Sequence, residues 1–496
     1  MNLDNLESVR YIIPELVLIA GLVLVILSDI ALKKFRNVLN PVLTFATLGL
    51  AFVLTLKFYP ATSATLFQGM LALDSFSQFF KLFLLLASGL ILLASLQSVE
   101  LSEVHQGEFF ALLLAVTLGT LLLSSSINLA MLFLSFELVS LTSYIMVGYL
   151  KNDRLSNEAS LKYILFGSVA SGAMLYGFSL IYGMTGSLNL YVIRDAFLTR
   201  GLEGVDQFTI LLILVLAMAG FGFKTASVPF HFWCPDVYAG APTPVTAFLS
   251  VAPKAAGFAI LIRFFFSGLA LTGTPQWSLL TGINWPLILI GISVLTMTLG
   301  NIAALSQNNL KRMLAYSSIA HAGYIMMGVV VLNGDGLRAI LLYLVVYLFM
   351  NLGAFLVVII IYDSDRTFEI GGYNGMFKRA PFLSIAMSIF MLSLIGIPPF
   401  AGFLGKLYIF GAVIEKGLAW FAVVGAVNAA IAAYYYVRVI KAMIIEEGDG
   451  NMSPVRISLL NQTLLVILLV PNILLTVFWN PVHHWASASL RLFGGV

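Results

Sequence analysis

Apolar segments long enough to cross a lipid bilayer recur along the whole sequence. A helix needs about 20 mostly apolar residues to span the hydrocarbon core. Only 10% of the residues are charged, against about 25% in a typical soluble protein. We therefore expect an all-α polytopic membrane protein with about 14 transmembrane helices. The candidate spans lie near 10–32, 38–58, 75–97, 108–125, 127–149, 159–184, 207–230, 242–269, 285–306, 311–332, 336–362, 381–415, 417–444 and 457–479.

Net charge and cysteine content exclude several other classes of protein. A net charge of +3 over 496 residues does not form a surface for a polyanion, so nucleic-acid binding is not expected. The one cysteine, Cys234, cannot form a disulfide framework, a thiolate zinc site or an iron–sulfur cluster within this chain. No metal site is expected either, because the five histidines show no metal-ligand spacing.

Two of the candidate spans carry helix-breaking residues and are expected to be discontinuous. The span 207–230 runs into KTASVPFHFW, and the span 381–415 contains IGIPPFAGFLGK. Proline removes a backbone donor, and its ring clashes with the preceding turn. Irregular backbone at membrane depth is tolerated only where protein or a water-filled cavity surrounds it. These two breaks therefore indicate a buried functional region.

The sequence also repeats itself at a nearly constant separation. TLGTLLLSSSINL from Thr117 resembles TLGNIAALSQNNL from Thr298, and aligning FGFK with FLGK superimposes Lys224 on Lys406. The repeat contains five spans, and an odd number inverts the second copy in the membrane, as in many ion transporters. The predicted domains are an N-terminal three-helix segment (1–100), a first five-helix repeat (108–270), an inverted second repeat (285–444), and the last helix with the C-terminal tail (457–496).

Lysine and arginine are more frequent in the loops on one side of the predicted membrane. The richer loops are 33–37, 151–157, 306–312, 363–380 and 438–456. Because positive loops stay in the cytoplasm, both termini are predicted on the outer, periplasmic face of a bacterial plasma membrane.

Ionisable residues inside the predicted spans are the strongest functional signal. Such a residue costs about 2.5–3.5 kcal/mol on insertion scales, so it is usually retained for a purpose. The loop count leaves only lysines among the cations within spans, and no arginine: Lys81, Lys162, Lys224, Lys254 and Lys406.

Glu137 and Lys224 are the first predicted relay pair. Ser140 and Tyr144 follow Glu137 at i+3 and i+7, so they share its helix face. A structural ion pair is one interpretation of Glu137. We favour a switchable pair, because burial and a nearby carboxylate act on the proton affinity of a lysine in opposite directions.

Lys254 and His321 are the predicted central residues. Lys254 continues a polar stripe that begins at Thr243, with the three- and four-residue spacing that could orient a file of water molecules. His321 shares a face with Ser317 and Tyr324. A packing histidine and a relay histidine, which titrates near neutral pH, both fit this pattern. Lys406 follows the second break, and the sequence after it does not match a phosphate-binding loop.

The other charged residues have two interpretations or a structural one. Glu158 and Lys162, at i and i+4, fit either a solvated pair or part of the relay. Lys81 with Asp74 is expected at the membrane interface. A further pair, His231 and Asp236, is expected to pin the loop after the first break.

Three strings together carry a family resemblance: KTASVPFHFWCPDVYAGAPTPV, KRMLAYSSIAHAGY and IPPFAGFLGK. With them, the chain resembles the subunit N family (mitochondrial subunit 2) of proton-pumping NADH:quinone oxidoreductase, respiratory complex I, whose antiporter-like subunits are related to cation/proton antiporters. The resemblance covers essentially all the spans. It implies that Glu137 and Lys224 form the family's pair, with Lys254 central and Lys406 terminal. It also implies that Glu158 is the second acidic position.

The resemblance implies a proton-translocating subunit of a redox enzyme. The sequence has no dinucleotide, flavin or cluster motif, so NADH, FMN, iron–sulfur clusters and quinone are expected in partner subunits. The expected partners are other membrane subunits, including sister antiporter-like subunits, together with the lipid bilayer and protons. The alternatives are a subunit of a multisubunit Na⁺/H⁺ antiporter, which the same lysines would serve, and a structural scaffold.

Overall fold

The computed structural model describes residues 3–59, 63–102, 106–200, 207–271, 277–280, 284–448 and 453–490. Within these ranges the helices are α1 (Asn5–Tyr11), α2 (Ile13–Ala31), α3 (Arg36–Lys57), α4 (Ser75–Ser95), α5 (Val99–Ser102), α6 (Gln106–Ser125), α7 (Leu129–Val147), α8 (Arg154–Thr185), α9 (Leu190–Arg200), α10 (Gln207–Thr225), α11 (Trp233–Gly240), α12 (Thr243–Arg263), α13 (Trp285–Leu305), α14 (Leu310–Val330), α15 (Gly334–Asp365), α16 (Met376–Arg379), α17 (Pro381–Ile395), α18 (Ala401–Glu415), α19 (Ala419–Ile444), α20 (Leu459–Leu474) and α21 (Trp479–Ala488).

Short irregular elements complete the fold. A π-helical turn, Phe264–Gly268, extends α12, and a 3₁₀ turn covers Ile370–Tyr373. Two small antiparallel hairpins pair β1 (Ala64–Leu66) with β2 (Leu71–Leu73), and β3 (Ala270–Leu271) with β4 (Ser278–Leu279).

The predicted polytopic helical fold is confirmed. Among the described residues, 12 helices are long and apolar enough to cross a membrane, and α20 with α21 form one more candidate, bent by 88°. The predicted discontinuous span 381–415 forms two helices of 15 residues each, α17 and α18, as expected. Each is too short to be counted as a span by itself, so the described residues contain 12 or 13 candidate spans, where the sequence predicted about 14.

Both predicted breaks are present, and local chemistry explains their positions. The helix α10 ends at Thr225, and the chain turns through Ala226 (φ 56°) and Pro229 before α11 begins. The helix α17 ends against Gly396, whose left-handed conformation (φ 86°) favours glycine at a helix C-terminus. Two prolines then prevent the helix from continuing.

The helices are layered around α12. Every residue of α12 is buried, and α14 and α15 are buried along most of their length. The peripheral helices α2 and α3 instead expose large apolar side chains, including Leu27, Val38 and Val42. Apolar side chains on the outer ring suit a lipid environment, and the polar groups within the bundle must find their partners inside the protein.

Candidate functional site

The side chain of Lys224 is buried on the last turn of α10, directly before the first break. Its Nζ has no hydrogen-bond partner among the described residues, and it lies 4.7 Å from the centroid of the Phe136 ring. Glu137 follows that phenylalanine on α7, and its buried Oε1 also has no hydrogen-bond partner there. The Glu137 carboxylate acts on Lys224 electrostatically. The two side chains are not among the ion pairs within 4.0 Å in the described ranges. The predicted pair is open in this structure.

Lys254 lies in the middle of the fully buried helix α12. Its Nζ donates a hydrogen bond of 2.6 Å to Oγ of Ser318 on α14 and lies 5.7 Å from the ring centroid of Tyr238 on α11. One turn before Lys254, Ser250 accepts a hydrogen bond of 2.6 Å from the side-chain amide of Asn351 on α15. The predicted polar stripe therefore faces α11, α14 and α15 inside the bundle, rather than lipid.

His321 is the centre of a hydrogen-bonded cluster between three helices. Its Nδ1 lies 2.6 Å from the hydroxyl of Tyr343 on α15, and its Nε2 lies 3.1 Å from the hydroxyl of Tyr436 on α19. The same Tyr436 hydroxyl is hydrogen-bonded to Ser317, which shares the face of His321 as the spacing predicted. Ser318, the partner of Lys254, lies one residue further along α14. This cluster therefore reaches the neighbourhood of Lys254.

Lys406 is held by the second break. Its Nζ donates hydrogen bonds of 2.7 Å and 3.1 Å to the carbonyl oxygens of Ile395 and Leu394, which end α17. The last carbonyls of a helix have no partner within the helix and carry the negative end of its dipole. A broken helix therefore provides a site for an ammonium group without a carboxylate. Lys406 also lies 4.7 Å from the ring centroid of Tyr324, whose hydroxyl accepts a 3.1 Å hydrogen bond from Asn301.

Glu158 does not lie with the buried residues Lys224, Lys254, His321 and Lys406. It belongs to a cluster of charges at the beginning of α8. Its carboxylate, 52% exposed, is 2.8 Å from Nζ of Lys162, which is also 2.6 Å from the carboxylate of Asp236 on α11. Arg312 on α14 contacts the other oxygen of Asp236 at 2.6 Å. Burial raises the pKa of Asp236, but the hydrogen bonds from Lys162 and Arg312 outweigh burial and hold its pKa below the ordinary value. Asp236 therefore pins α11, as predicted, whereas Nδ1 of His231 is buried without a hydrogen-bond partner in the described ranges.

Two expectations about the N-terminal region were wrong. Lys81 does not lie with Asp74: it is buried and forms a 2.7 Å ion pair with Glu15. Asp74 instead binds both terminal nitrogens of Arg263, at 2.8 Å and 2.9 Å, and this pair is 2% and 0% exposed. An arginine is therefore present inside a span. The sequence signal was available, because Arg263 falls within the apolar segment 242–269.

A further cation that the loop count placed outside the membrane is also buried. Lys311, in the first turn of α14, donates a 2.5 Å hydrogen bond to the carbonyl oxygen of Ala241 and lies 4.5 Å from the Phe368 ring centroid. It holds the end of the segment that leads into α12. Lys311 lies at the edge of an apolar run, so the sequence could not show whether it belongs to a loop or to the buried beginning of a helix.

The described part of the chain contains no group of three or more His, Cys, Asp or Glu side chains placed to hold a metal ion. The buried groups described above are of types that can exchange a proton: lysines, a histidine, and tyrosine and serine hydroxyls. Each of these groups can donate a hydrogen bond, and all except a protonated lysine or histidine can also accept one. Such an arrangement can pass protons between neighbouring groups.

The chain is similar to known membrane proteins over most of its length. The pattern of the family described as "NADH:quinone oxidoreductase/Mrp antiporter, TM" matches residues 126–432. NADH-quinone oxidoreductase subunit N of Anaeromyxobacter sp. (strain Fw109-5) is 44% identical over 510 residues, covering 99% of this chain and 98% of that protein. NADH-quinone oxidoreductase subunit N 2 of Sorangium cellulosum is 43% identical, covering 99% of each chain.

Two solved structures contain chains with a similar fold. A chain of respiratory complex I from Thermus thermophilus with bound aureothin matches with a TM-score of 0.77 and 30% identity, covering 97% of this chain and 100% of that one. A chain of the Mrp complex from Dietzia sp. matches with a TM-score of 0.82 at 20% identity, covering 97% of each, and shows the fold alone. The extent and identity of these matches establish that the chain belongs to the NADH:quinone oxidoreductase/Mrp antiporter family and, within it, to subunit N of NADH-quinone oxidoreductase.

Proposed function

We propose that this chain translocates protons across the membrane as an antiporter-like subunit of NADH:quinone oxidoreductase. The observation that carries the proposal is the burial of Lys224, Lys254 and Lys406, none of which has a carboxylate within ion-pair distance in the described ranges. An uncompensated buried charge is strongly destabilising, so a purely structural lysine would be expected to have a partner. Lysines that gain and lose a proton during turnover would explain why these three have no carboxylate partner.

The central part of the proposed relay runs from Lys254 to Lys406. Lys254 donates to Ser318, and one turn later His321 contacts two tyrosine hydroxyls. Both lysines act electrostatically on His321, so a charge on His321 and a charge on either lysine disfavour each other. Like charges at close range cannot all be present at once, and such groups titrate as a coupled set. A proton that arrives at Lys254 therefore favours release at Lys406.

The Glu137–Lys224 pair would act as the switch at the start of this relay. Closing the pair stabilises the protonated lysine, and opening it favours release of the proton toward Lys254. The structure has the open geometry, with Lys224 over the Phe136 ring. In our proposal, quinone reduction in partner subunits, which hold NADH, FMN, iron–sulfur clusters and quinone, drives the change between the two states.

Glu158 is proposed as the acidic group at the proton entrance. It is half exposed at the beginning of α8, next to the loop 151–157 that the charge distribution assigns to the cytoplasm. Its partner Lys162 connects it through Asp236 to α11, the helix that follows the first break. Protons would enter from this side of a bacterial plasma membrane and leave on the outer side, where both termini lie in this proposal.

The test compares lysine variants in the assembled enzyme, reconstituted in proteoliposomes. Proton uptake per NADH oxidised is measured for Lys224→Ala and Lys406→Met, with Lys416→Met as the matched control. Lys416 is exposed at the end of the same helix as Lys406. We expect the two buried variants to lose proton translocation and the control to retain it. Undiminished proton pumping in either buried variant, with electron transfer intact, contradicts the relay.

A second preparation, the chain reconstituted without its redox partners, tests the antiporter alternative. Sodium-gradient-driven proton movement by the chain without redox partners would support it. The similarity to proteins named as NADH-quinone oxidoreductase subunit N supports the redox-driven function instead.

A further inference from the structure

We propose that a phospholipid with a primary-amine head group, of the phosphatidylethanolamine class, binds in a cavity between the end of α15 and the beginning of α20. The cavity has a volume of about 580 Å³, and none of the relay lysines lines it. Its polar side chains are Gln97, Asp363, Ser364, Ser453, Arg456, Ser458 and Asn461.

The first argument is that the cavity carries one cation and one anion. Arg456 is exposed and forms none of the ion pairs found among the described residues. Asp363 is half-buried, and one of its oxygens accepts a 3.0 Å hydrogen bond from the backbone N–H of Val99. A guanidinium group binds a phosphate oxygen pair in a bidentate manner, and a carboxylate binds an ammonium group. This charge pattern matches a zwitterionic head group rather than one with net negative charge.

The second argument is an unpartnered buried acceptor. Asn461 is only 6% exposed, yet its side-chain oxygen has no hydrogen-bond partner in the described ranges. A buried polar atom without a partner costs about 1–3 kcal/mol, so native structures rarely leave one unsatisfied. A primary ammonium group has three donors and can satisfy both this oxygen and Asp363. A quaternary choline group has no such donors, so the chemistry favours ethanolamine.

The third argument is an apolar groove beside the polar cavity. The groove, about 510 Å³ in volume, is lined by Phe382, Ile457, Leu459 and Val466, with two polar side chains, Gln462 and Thr463. The segment before α20 borders both spaces, because Arg456 and Ser458 face the cavity while Ile457 and Leu459 face the groove. Leu459 is strongly exposed. A polar site beside an apolar groove at the beginning of a membrane helix fits one head group and its acyl chain.

Photo-crosslinking identifies the occupant. The purified assembly is incubated in mild detergent with phosphatidylethanolamine that carries a diazirine on one acyl chain, and adducts are mapped by mass spectrometry. We expect adducts on α17 and α20 near Phe382 and Val466. Unlabelled phosphatidylethanolamine should compete, and phosphatidylcholine with the same acyl chains should compete about tenfold less well. Equal competition by the two lipids overturns the proposal, and so does occupation of the groove by a neighbouring subunit.

Variants separate the three arguments. Arg456→Gln should weaken phosphatidylethanolamine binding about tenfold, because it removes a charged hydrogen bond. Asn461→Leu should weaken phosphatidylethanolamine binding and leave phosphatidylcholine binding unchanged. Lys378→Gln is the control, since this exposed lysine lies between α15 and α17 and lines neither space.

Asp363→Asn provides the reverse test. The amide oxygen can still accept the Val99 N–H, but the cavity loses its negative charge. We expect the preference to change from phosphatidylethanolamine to anionic phosphatidylglycerol. An unchanged preference, or an Arg456→Gln variant that behaves like the lysine control, refutes the proposed head-group geometry. The competition between phosphatidylethanolamine and phosphatidylcholine uses the unmodified assembly. It therefore remains decisive if a variant fails to assemble. The relay variants described above should leave lipid binding unchanged.

Discussion

Replacing Asp74 with asparagine should strongly destabilise the protein, because it leaves Arg263 buried without its counter-charge. Arg263 is 0% exposed at the end of α12, the helix that carries Lys254 nine residues earlier, about 13 Å along the axis. Besides its two bonds to Asp74, its Nε donates a 2.7 Å hydrogen bond to the carbonyl oxygen of Ser124. The arginine thus fixes α12 against α4 and α6.

The structure gives the magnitude of this effect. Two charged hydrogen bonds join Arg263 to Asp74, and each contributes about 1.5–3 kcal/mol, which gives about 3–6 kcal/mol for the pair. In other proteins, removing one partner of a buried ion pair lowers the free energy of unfolding by about 3–5 kcal/mol. Asparagine keeps the shape, and it can still cap α4, where Asp74 accepts the N–H of Ser77. We therefore expect a loss of about 3–5 kcal/mol that comes mainly from the charge.

Unfolding of the purified full-length chain by SDS in mixed micelles measures this loss. The matched control is Asp335→Asn, because Asp335 forms a 2.9 Å pair with Arg338 at a partly exposed position (52% and 29%). A pair of that kind contributes less than about 1 kcal/mol. The double variant Asp74→Asn/Arg263→Met should recover at least half of the stability, since it removes the unpaired charge. Equal effects of the two asparagine variants would show that the buried pair does not fix α12.

Two further predictions concern the second break and the histidine cluster. Gly402→Ala should lower the thermal unfolding midpoint, because a Cβ there would collide with the backbone carbonyl that lies opposite, at a cost of about 1–3 kcal/mol. Gly411→Ala on the same helix meets open space and should leave the midpoint unchanged or raise it. Tyr343→Phe removes the hydroxyl bonded to His321 and should reduce the rate of proton translocation about fivefold. Tyr347→Phe is its control, because that hydroxyl has no hydrogen-bond partner in the described ranges, and equal rates in the two variants would exclude the hydroxyl from the relay.

The sequence alone was sufficient for the membrane class, the breaks and the buried lysines. These features are local: an apolar run of sufficient length has to span the bilayer, and proline has to interrupt a helix whatever surrounds it. The spacing of Ser317 and His321 was likewise enough to place both on one face of α14. In the structure both are hydrogen-bonded to the hydroxyl of Tyr436. The inverted repeat and the relay roles remain predictions.

Partner choice was decided by the tertiary structure. Lys81 and Asp74 are close in sequence, yet each pairs with a residue from another helix, because the helix face on which a charge lies is fixed by packing across the bundle. Lys406 could not be assigned its carbonyl partners from the sequence, since they become available only where α17 ends against it. Composition and apolar run length thus located most of the buried charges, although Arg263 and Lys311 were missed. The rotation and contact of helices distant in sequence decided which groups satisfy them, because in a water-free interior only neighbouring protein groups can do so.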